Sequence, residues 1–288
     1  MHLPKTQTLL ILATLSLLFP RPAIAQQLPT LPLEFNPREL GNPGRPGGRR
    51  RGGGSRGACS AGLPLSAIAY ADTQIVTELG ITNIEELVGM WTTQAQPSLW
   101  FYMPQSLANI PTEFILKDSS GQLLYQGELV GSTDGNGIVA APLPIALSLD
   151  TPYQWSLTID CDQSDRTTVR GWIERQLPST SLTNDLGEAS DRNRAALYAN
   201  AGFLQDALTE LAILRNAQPD DDAITQDWRS FLIALDFPEL VNVPVLDCCI
   251  VGSVAAEEVP DEVPDEVPEE RAPTEEPPAE KLPAEELR

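Results

Sequence analysis

The sequence predicts an α+β protein: an antiparallel, Ig-like β-sandwich followed by a tetratricopeptide-like helical hairpin, with a flexible arm before them and a disordered tail after them. Three observations predict this class. Between residues 97 and 178, apolar and polar residues alternate in short runs separated by turns, which is the period of strands. Between residues 186 and 236 the apolar residues recur at helical spacing. The two ends are rich in Pro, Gly and charges of one sign, and have few apolar side chains that could form a core.

The first 25 residues have the pattern of a secretory signal peptide. Lys5 precedes a twelve-residue apolar run over 8–19, and Ala23-Ile24-Ala25 is a small-residue cleavage pattern. The run is too short for a stable membrane anchor. We therefore expect cleavage after residue 25 and a secreted, periplasmic or extracellular chain with no later membrane span. Cleavage also removes His2, the only histidine.

Residues 26–57 form the predicted arm. Between 38 and 57 this arm has six Arg and one Glu within a Pro- and Gly-rich stretch. Such a composition favours a flexible, solvated linker. The alternative is a contact with phosphate, peptidoglycan, lipid headgroups or the chain's own acidic tail.

Residues 58–178 form the predicted sandwich domain. The clearest strand begins at Tyr153, and its apolar residues at 153, 155, 157, 159 and 161 share one face. Asn83 followed by Glu86 resembles a capping box, which predicts a short helix from Asn83 to Met90. Strands are expected at Leu65 to Tyr70, Leu99 to Met103, Phe114 to Leu116, Leu123 to Leu129, Ile138 to Ala141, Tyr153 to Cys161 and Val169 to Ile173.

Because the predicted signal peptide directs the chain to an oxidising compartment, its four cysteines are expected to form disulfides. Adjacent Cys248 and Cys249 bridge each other only with strain, because a disulfide prefers a larger Cα separation. We therefore predict a Cys59–Cys161 disulfide, which attaches the arm to the sheet. For Cys248 and Cys249 three alternatives stay open: free thiols, a strained disulfide with each other, or intermolecular disulfides.

Residues 186–240 form the predicted helical hairpin with a third helix. Six positions fall at the offsets of one tetratricopeptide unit, and Gly202 marks the turn between its helices. Asp227-Trp228 opens the third helix, and Asp220 to Asp222 are expected to cap a helix. We expect the hairpin to pack against the sandwich or against its own third helix, and the alternative is that it holds a peptide in a groove. The tetratricopeptide positions are Ala195, Tyr198, Gly202, Ala207, Leu211 and Pro219.

Charge and composition exclude several classes of function. Residues 254–288 have thirteen acids and three bases with Pro every few residues, which predicts an extended, disordered tail that is solvated or docks a partner. Residues 58–253 have 25 acids and eight bases, and so acidic a surface disfavours nucleic acid. With no histidine, a triad or a His-activated Cys has no base. Neither a phosphate-binding Gly loop nor a CxxC pair is present. We predict no catalytic residue, no cofactor and no confident metal site.

Two groups of residues are candidate sites. Asp160, Asp162 and Asp165 crowd the end of the best strand and are interpreted as a turn, a calcium site or an acid–base pair. Trp100, Tyr102 and Trp172 lie on the faces opposite their strands' core residues. They form a ligand face for sugars or proteins, or they are covered by the helical hairpin.

Several landmarks recur in one order along the chain. They are Arg49 to Gly57 before Cys59, Pro97 to Pro104, Tyr153-Gln154-Trp155 before Cys161-Asp162, Gly171 to Arg175, and Ala196-Leu197-Tyr198 before Gly202. In this order the chain resembles a secreted cyanobacterial family catalogued as domain of unknown function 928, over about residues 45–245. The resemblance implies a cyanobacterial envelope location and supports the Cys59–Cys161 pair. It implies no activity, so no residue takes a catalytic role from it.

Together these features predict a non-catalytic secreted or periplasmic interaction module of the cell envelope, with a protein or glycan partner. The first alternative is a carboxylate-dependent hydrolase of cell-wall or extracellular polysaccharide. The second is a calcium-stabilised structural protein.

Overall fold

The structure is a computed structural model that describes residues 31–37, 47–53, 62–78, 81–106, 110–131, 135–161, 166–246 and 249–253. Over these residues the chain is mixed α+β, as predicted: two sheets of mostly antiparallel strands come first and four helices follow. The described strands and helices fall within one compact unit, Met1–Ser253. The predicted signal peptide and acidic tail lie outside the described residues.

The strands form two sheets. Among the described residues, a small sheet has the order β1-β4-β7, and a larger one has the order β10-β6-β5-β8-β9-β3-β2. Neighbouring strands are antiparallel except β3 and β9, which pair in parallel. The strands are β1 (Ser66–Ala67), β2 (Tyr70–Glu78), β3 (Ile81–Thr92), β4 (Ser98–Met103), β5 (Thr112–Lys117), β6 (Leu123–Val130), β7 (Gly137–Pro142), β8 (Pro152–Asp160), β9 (Arg166–Arg175) and β10 (Ile250–Ser253).

Strict alternation located most strands correctly. β5 and β6 form the predicted hairpin, and its turn includes Gly121 at a φ of 86°. β8 lies between β5 and β9, and its alternate side chains from Tyr153 to Ile159 are buried. The period-two alternation of apolar and polar residues therefore predicts the central strands correctly, because each of these strands presents one face to the interior.

The predicted helix from Asn83 to Met90 is wrong, because these residues lie within β3. β3 pairs with β2 from Ile81 to Gly89, and its last four residues pair with β9. Ile81, Thr82, Ile84 and Val88 are β-branched and suit a strand. The hydrogen bonds to two neighbouring strands stabilise the extended conformation more than the local capping pattern stabilises a helix.

The four described helices are α1 (Thr180–Glu188), α2 (Asp191–Asn200), α3 (Leu204–Ala217) and α4 (Asp222–Ala234), and a 3₁₀ turn at Pro238–Leu240 follows them. Gly202 adopts a φ of 78° between α2 and α3, as the predicted turn requires. α4 begins five residues before the predicted Asp227, because Asp221 caps it by accepting bonds from the Ala223 and Ile224 amides. Within the described residues, no helix is both long enough and apolar enough to cross a membrane.

Two hydrophobic clusters stabilise the fold. The sheet cluster contains the inward residues of both sheets, such as Phe101, Phe114 and Trp155. The helix cluster joins α2, α3 and α4 to aromatic residues on the opposite faces of the strands, and includes Trp228 and Phe231. α3 therefore lies against β3 and β4, and the helices are part of the same folded unit as the sheets.

Candidate functional site

A groove on the helical side of the molecule holds an extended piece of the chain itself. Residues 31–37 (LPLEFNP), here called the docked segment, lie against α2, α4 and β2. The surface that holds them is called the amide groove and is formed by Asn193, Asn200, Tyr70 and Phe231. The predicted flexible arm is therefore corrected for this stretch, which is bound to the helices rather than free.

Side-chain amides of α2 hold the main chain of the docked segment. The Leu31 N–H donates to Asn193 Oδ1 at 3.0 Å, and the Glu34 N–H donates to Asn200 Oδ1 at 3.0 Å. The Asn36 side-chain amide donates in turn to the Asn200 carbonyl at 3.4 Å. Two asparagines seven residues apart on a helix are about 10.5 Å apart along its axis. Two amides three residues apart on an extended chain are about 10 Å apart, so the spacings match.

Apolar side chains of the docked segment point toward the helices. Leu33 and Phe35 are half-buried and pack on the helix cluster, while their neighbours in the segment are exposed. The Phe35 ring lies 6.0 Å from the rings of both Tyr70 and Phe231. Edge-on and tilted aromatic contacts at this distance are favourable. The groove therefore combines two main-chain contacts with one aromatic contact that depends on the side chain.

Residues 47–53, the arginine segment, are also part of the fold, which corrects the prediction that they are a flexible arm. The Gly48 amide donates to the Glu86 carbonyl at 2.6 Å, and Arg49 exchanges two main-chain bonds with Arg170 of β9. The Gly52 amide donates to the Leu65 carbonyl. A Cβ at Gly48 would lie 2.6 Å from the Val88 side chain, so this close approach needs glycine.

Arg50 and Arg51 attach this segment to the end of α4. Arg50 Nε lies 3.0 Å from Glu86 Oε1, its Nη1 donates to the Leu235 carbonyl at 2.6 Å, and its Nη2 lies 3.1 Å from Asp236 Oδ2. Arg51 pairs with the same aspartate and with Glu239, and both guanidinium groups lie over the Phe237 ring. The run of arginines thus joins the sheets to the helices.

A second candidate site is a polar cavity of about 300 Å³ between α2, α3 and the loop after β3. Asp206 is its most buried acid, with 4% of its surface exposed. The Asp206 carboxylate accepts bonds from the Thr93 amide and hydroxyl, both at 2.7 Å, and from the Thr92 hydroxyl at 2.5 Å. Besides Asp206, the lining residues are Gln94, Gln96, Pro97, Ser98, Arg194, Tyr198, Thr209 and Glu210.

Burial governs the ionisation of Asp206. Removal from water raises the pKa of this carboxyl, while the bonds from Thr92 and Thr93 lower it; burial is the larger effect. Glu210 raises it further by like charge. One turn away on the same helix, Glu210 also accepts a bond from Arg194 at 2.9 Å. The cavity thus combines one protonatable buried acid with one ion-paired acid.

The three aromatic residues predicted as a ligand face are buried, so they do not form an exposed one. Trp100, Tyr102 and Trp172 are at most 6% exposed and belong to the helix cluster. The Trp100 indole N–H donates to Thr209 Oγ1 of α3 at 2.9 Å. The helices cover these rings, as the alternative interpretation expected, because apolar outer faces of strands need a partner.

The acidic cluster and the cysteines are only partly described. Asp160 Oδ2 lies 3.8 Å from Arg166 Nε. Asp162 and Asp165 lie outside the described residues. The interpretations of this cluster as a turn, a calcium site or an acid–base pair therefore stay predictions. Cys161 and Cys249 are each disulfide-bonded. Because Cys59 and Cys248 are outside the described residues, the Cys59–Cys161 pair stays a prediction.

Sequence reasoning missed the residues that form the amide groove. Asn193 and Asn200 look like ordinary polar positions of an amphipathic helix, and no local pattern pairs them with residues 31–37. A weak signal was present: Leu31, Leu33 and Phe35 alternate in an otherwise polar, proline-rich stretch. Such alternation indicates an extended chain with one buried face.

Comparison with known proteins gives a family but no activity. No curated protein matches the chain. Residues 51–245 match the family described as Domain of Unknown Function (DUF928), and this range covers more than half of the 288 residues. The amide-groove residues lie inside the matched range, whereas the docked segment lies before it. The chain therefore belongs to the DUF928 family.

Proposed function

We propose that the protein is a non-catalytic interaction module, secreted or periplasmic, that binds an extended peptide segment of a partner protein in the cell envelope. The observation that carries this proposal is the pair of hydrogen bonds from the Leu31 and Glu34 amides to Asn193 and Asn200. The signal-peptide pattern supports the location. The docked segment occupies the groove, and its contacts support the expectation that the groove accepts the main chain of an extended peptide.

The groove chemistry suits a partner peptide of variable sequence. Side-chain amides that accept main-chain N–H groups act on any residue except proline, because every other residue has that donor. Selectivity comes from the contact of the Phe35 ring with Tyr70 and Phe231. The expected partner therefore presents an extended chain with an aromatic residue four positions after the first held amide. Recognition of an extended chain through its main chain is a recurring mode of peptide binding.

We also propose that the sheets are Ig-like and that the helices resemble a tetratricopeptide unit. Repeats of helical pairs bind partners on concave surfaces, and one such unit needs a neighbour to cover its apolar face. Here Phe35 packs against the helix cluster from outside. A peptide in the groove thus supplies apolar cover as well as hydrogen bonds.

The test is binding of a labelled peptide with the sequence of residues 31–37, followed by fluorescence anisotropy. In the wild-type chain the docked segment competes for the groove. The Phe35→Ala chain loses the aromatic contact of its own segment, so more of its grooves are open. We expect the peptide to bind the Phe35→Ala chain about tenfold more tightly than wild type, since apparent affinity scales with the open fraction.

Two controls make the result specific. A peptide with alanine in place of its phenylalanine is expected to bind the Phe35→Ala chain at least about tenfold more weakly. A double variant, Phe35→Ala with Asn200→Ala, removes one amide acceptor and is expected to weaken binding of the original peptide. Equal binding of both peptides to all three chains, or no binding to any, contradicts the proposal.

A second candidate function, a carboxylate-dependent polysaccharide hydrolase, is favoured by the polar cavity. Asp206 and Glu210 are one helical turn apart and both line it. Glycoside hydrolysis needs one protonated and one ionised carboxyl group, and burial of Asp206 favours the first. A screen for turnover of cell-wall and extracellular glycans, with Glu210→Gln as the inactive variant, tests it. Equal turnover by wild type and variant, or none by either, counts against the enzyme.

A further inference from the structure

The outer face of the large sheet has a depression with unusual charge for this acidic protein. It has a volume of about 380 Å³ and lies across β5, β8 and β9. Lys117 and Arg170 line it together with the polar side chains of Gln154, Ser156 and Thr168. No carboxylate is among the described residues that line it, although the chain has 40 acids and 19 bases. We call this surface the cationic depression.

The cations here differ from most others in the described part of the chain. Arg50, Arg51, Arg166, Arg192 and Arg194 each lie within 4 Å of a carboxylate oxygen. By contrast, Lys117, Arg170 and Arg49 have no acidic partner among the described residues. Lys117 and Arg170 both line the depression, and Arg49 pairs with Arg170 through the main chain. The depression is therefore a place where positive charge is left available.

Register brings two of these cations into direct opposition. Arg49 and Arg170 exchange both main-chain hydrogen bonds, at 2.9 and 2.8 Å, so they form an antiparallel pair. Both residues are exposed. Side chains directly opposite each other on such a pair are about 5 Å apart at Cβ, and like charges at these positions are destabilising. A negative charge bound beside this pair would reduce the repulsion.

The chemistry of these groups defines the ligand class. Guanidinium groups bind carboxylate and phosphate oxygens in a bidentate manner, and a lysine adds a point charge. The Gln154 amide and the Ser156 and Thr168 hydroxyls supply neutral hydrogen-bond donors. We propose that the cationic depression is a binding site for a small multivalent anion bearing carboxylate or phosphate groups. This site is separate from the amide groove, and its test does not involve the groove.

Isothermal titration calorimetry of the full chain with citrate and with tripolyphosphate tests the proposal. At about 20 mM salt we expect at least one probe to bind the wild type, and to bind about tenfold or more weakly at about 150 mM, because exposed charges are screened. A double variant, Lys117→Gln with Arg170→Gln, is expected to lose binding at least tenfold. A preference for citrate assigns the site to carboxylates, and one for tripolyphosphate assigns it to phosphates.

The matched control is Arg229→Gln, which removes an exposed arginine of α4 that has no acidic partner among the described residues. It is expected to bind the probes as the wild type does. The probe is also expected to raise the melting temperature of wild type and Arg229→Gln but not of the double variant, since a ligand stabilises only a chain that binds it. If Arg229→Gln weakens binding as much as the double variant, or if neither probe binds the wild type, the proposal is wrong.

Discussion

The two hydrophobic clusters are similar in side-chain content but differ in how the chain builds them. The sheet cluster is made by alternating residues of neighbouring strands and lies between the two sheets. The helix cluster collects aromatic residues from the outer strand faces, apolar residues from all four described helices, and Leu33 and Phe35 from the docked segment. One cluster follows a local pattern, and the other depends on elements far apart in sequence.

This difference distinguishes the sheet side of the molecule from the side proposed to bind a peptide. Most of the buried residues of the sheet cluster lie in regular strands. The helix cluster is partly closed by Leu33 and Phe35, which precede the folded elements and are only half-buried. The proposed function requires that this segment be replaced by a peptide of the partner protein. The amide groove therefore lies where the helix cluster is completed by residues 31–37.

The largest predicted effect comes from matched phenylalanines, one in each cluster. Phe114 and Phe231 are both fully buried. We expect Phe114→Ala and Phe231→Ala each to lower the free energy of unfolding by about 3–5 kcal/mol, the usual cost of such a truncation. Urea unfolding followed by near- and far-UV circular dichroism measures both. Both variants are expected to unfold in one transition, because α3 connects the clusters by packing on β3 and β4. Two separate transitions would show that the clusters are independent domains.

The next effect concerns Arg50, which joins the two regions. Its side chain is 13% exposed and contacts Glu86, Asp236 and the Leu235 carbonyl. We expect Arg50→Ala to cost about 2 kcal/mol, because charged hydrogen-bond partners lose their donor. Arg229→Ala is the control and is expected to change stability by less than about 0.5 kcal/mol. If Arg50→Ala lowers the free energy of unfolding no more than the control does, Arg50 does not stabilise the contact between the two regions.

A pH effect is expected from Asp206, where α3 meets the loop after β3. Because burial raises its pKa above the ordinary 3.8, the folded chain binds more protons than the unfolded chain just above that pH. The contribution of this carboxyl to stability is therefore greatest at low pH and is lost as pH rises through the raised pKa. We expect the stability of Asp206→Asn relative to wild type to increase from pH 4 to pH 7.5, measured by urea unfolding. An unchanged difference would contradict the assigned burial effect.

The smallest effect contrasts two glycines. Gly48 has no space for a Cβ, whereas a Cβ at Gly187 in α1 would meet nothing within 4 Å. We expect Gly187→Ala to stabilise the chain by about 0.5 kcal/mol, since alanine is the better helix former. Gly48→Ala is expected to destabilise it, because the arginine segment must move away from Val88. Thermal unfolding of both variants is the measurement, and the same sign for both would contradict these packing assignments.

Local patterns of the sequence were sufficient for the sheet cluster but not for the site. The strand from Tyr153 was predictable because its period of two is strict and extends over nine residues. The strand over 81–92 was not, because its pairing with both β2 and β9 is a long-range property. The arginine segment resembles a linker in composition, yet its glycines permit close packing and its arginines find carboxylates 36 to 188 residues away. Contacts between residues so far apart produce no periodic pattern in the sequence from which they could be predicted.

The amide groove is tested most directly by amide hydrogen exchange of the full chain, followed by NMR. The Leu31 and Glu34 amides are expected to be protected, because each donates to a side chain of α2. In Asn200→Ala, Glu34 is expected to lose most of its protection, while amides of the sheet cluster are unchanged. Exchange of Leu31 and Glu34 in the wild type at the rate of an unstructured peptide would contradict the docked segment and, with it, the proposed mode of binding.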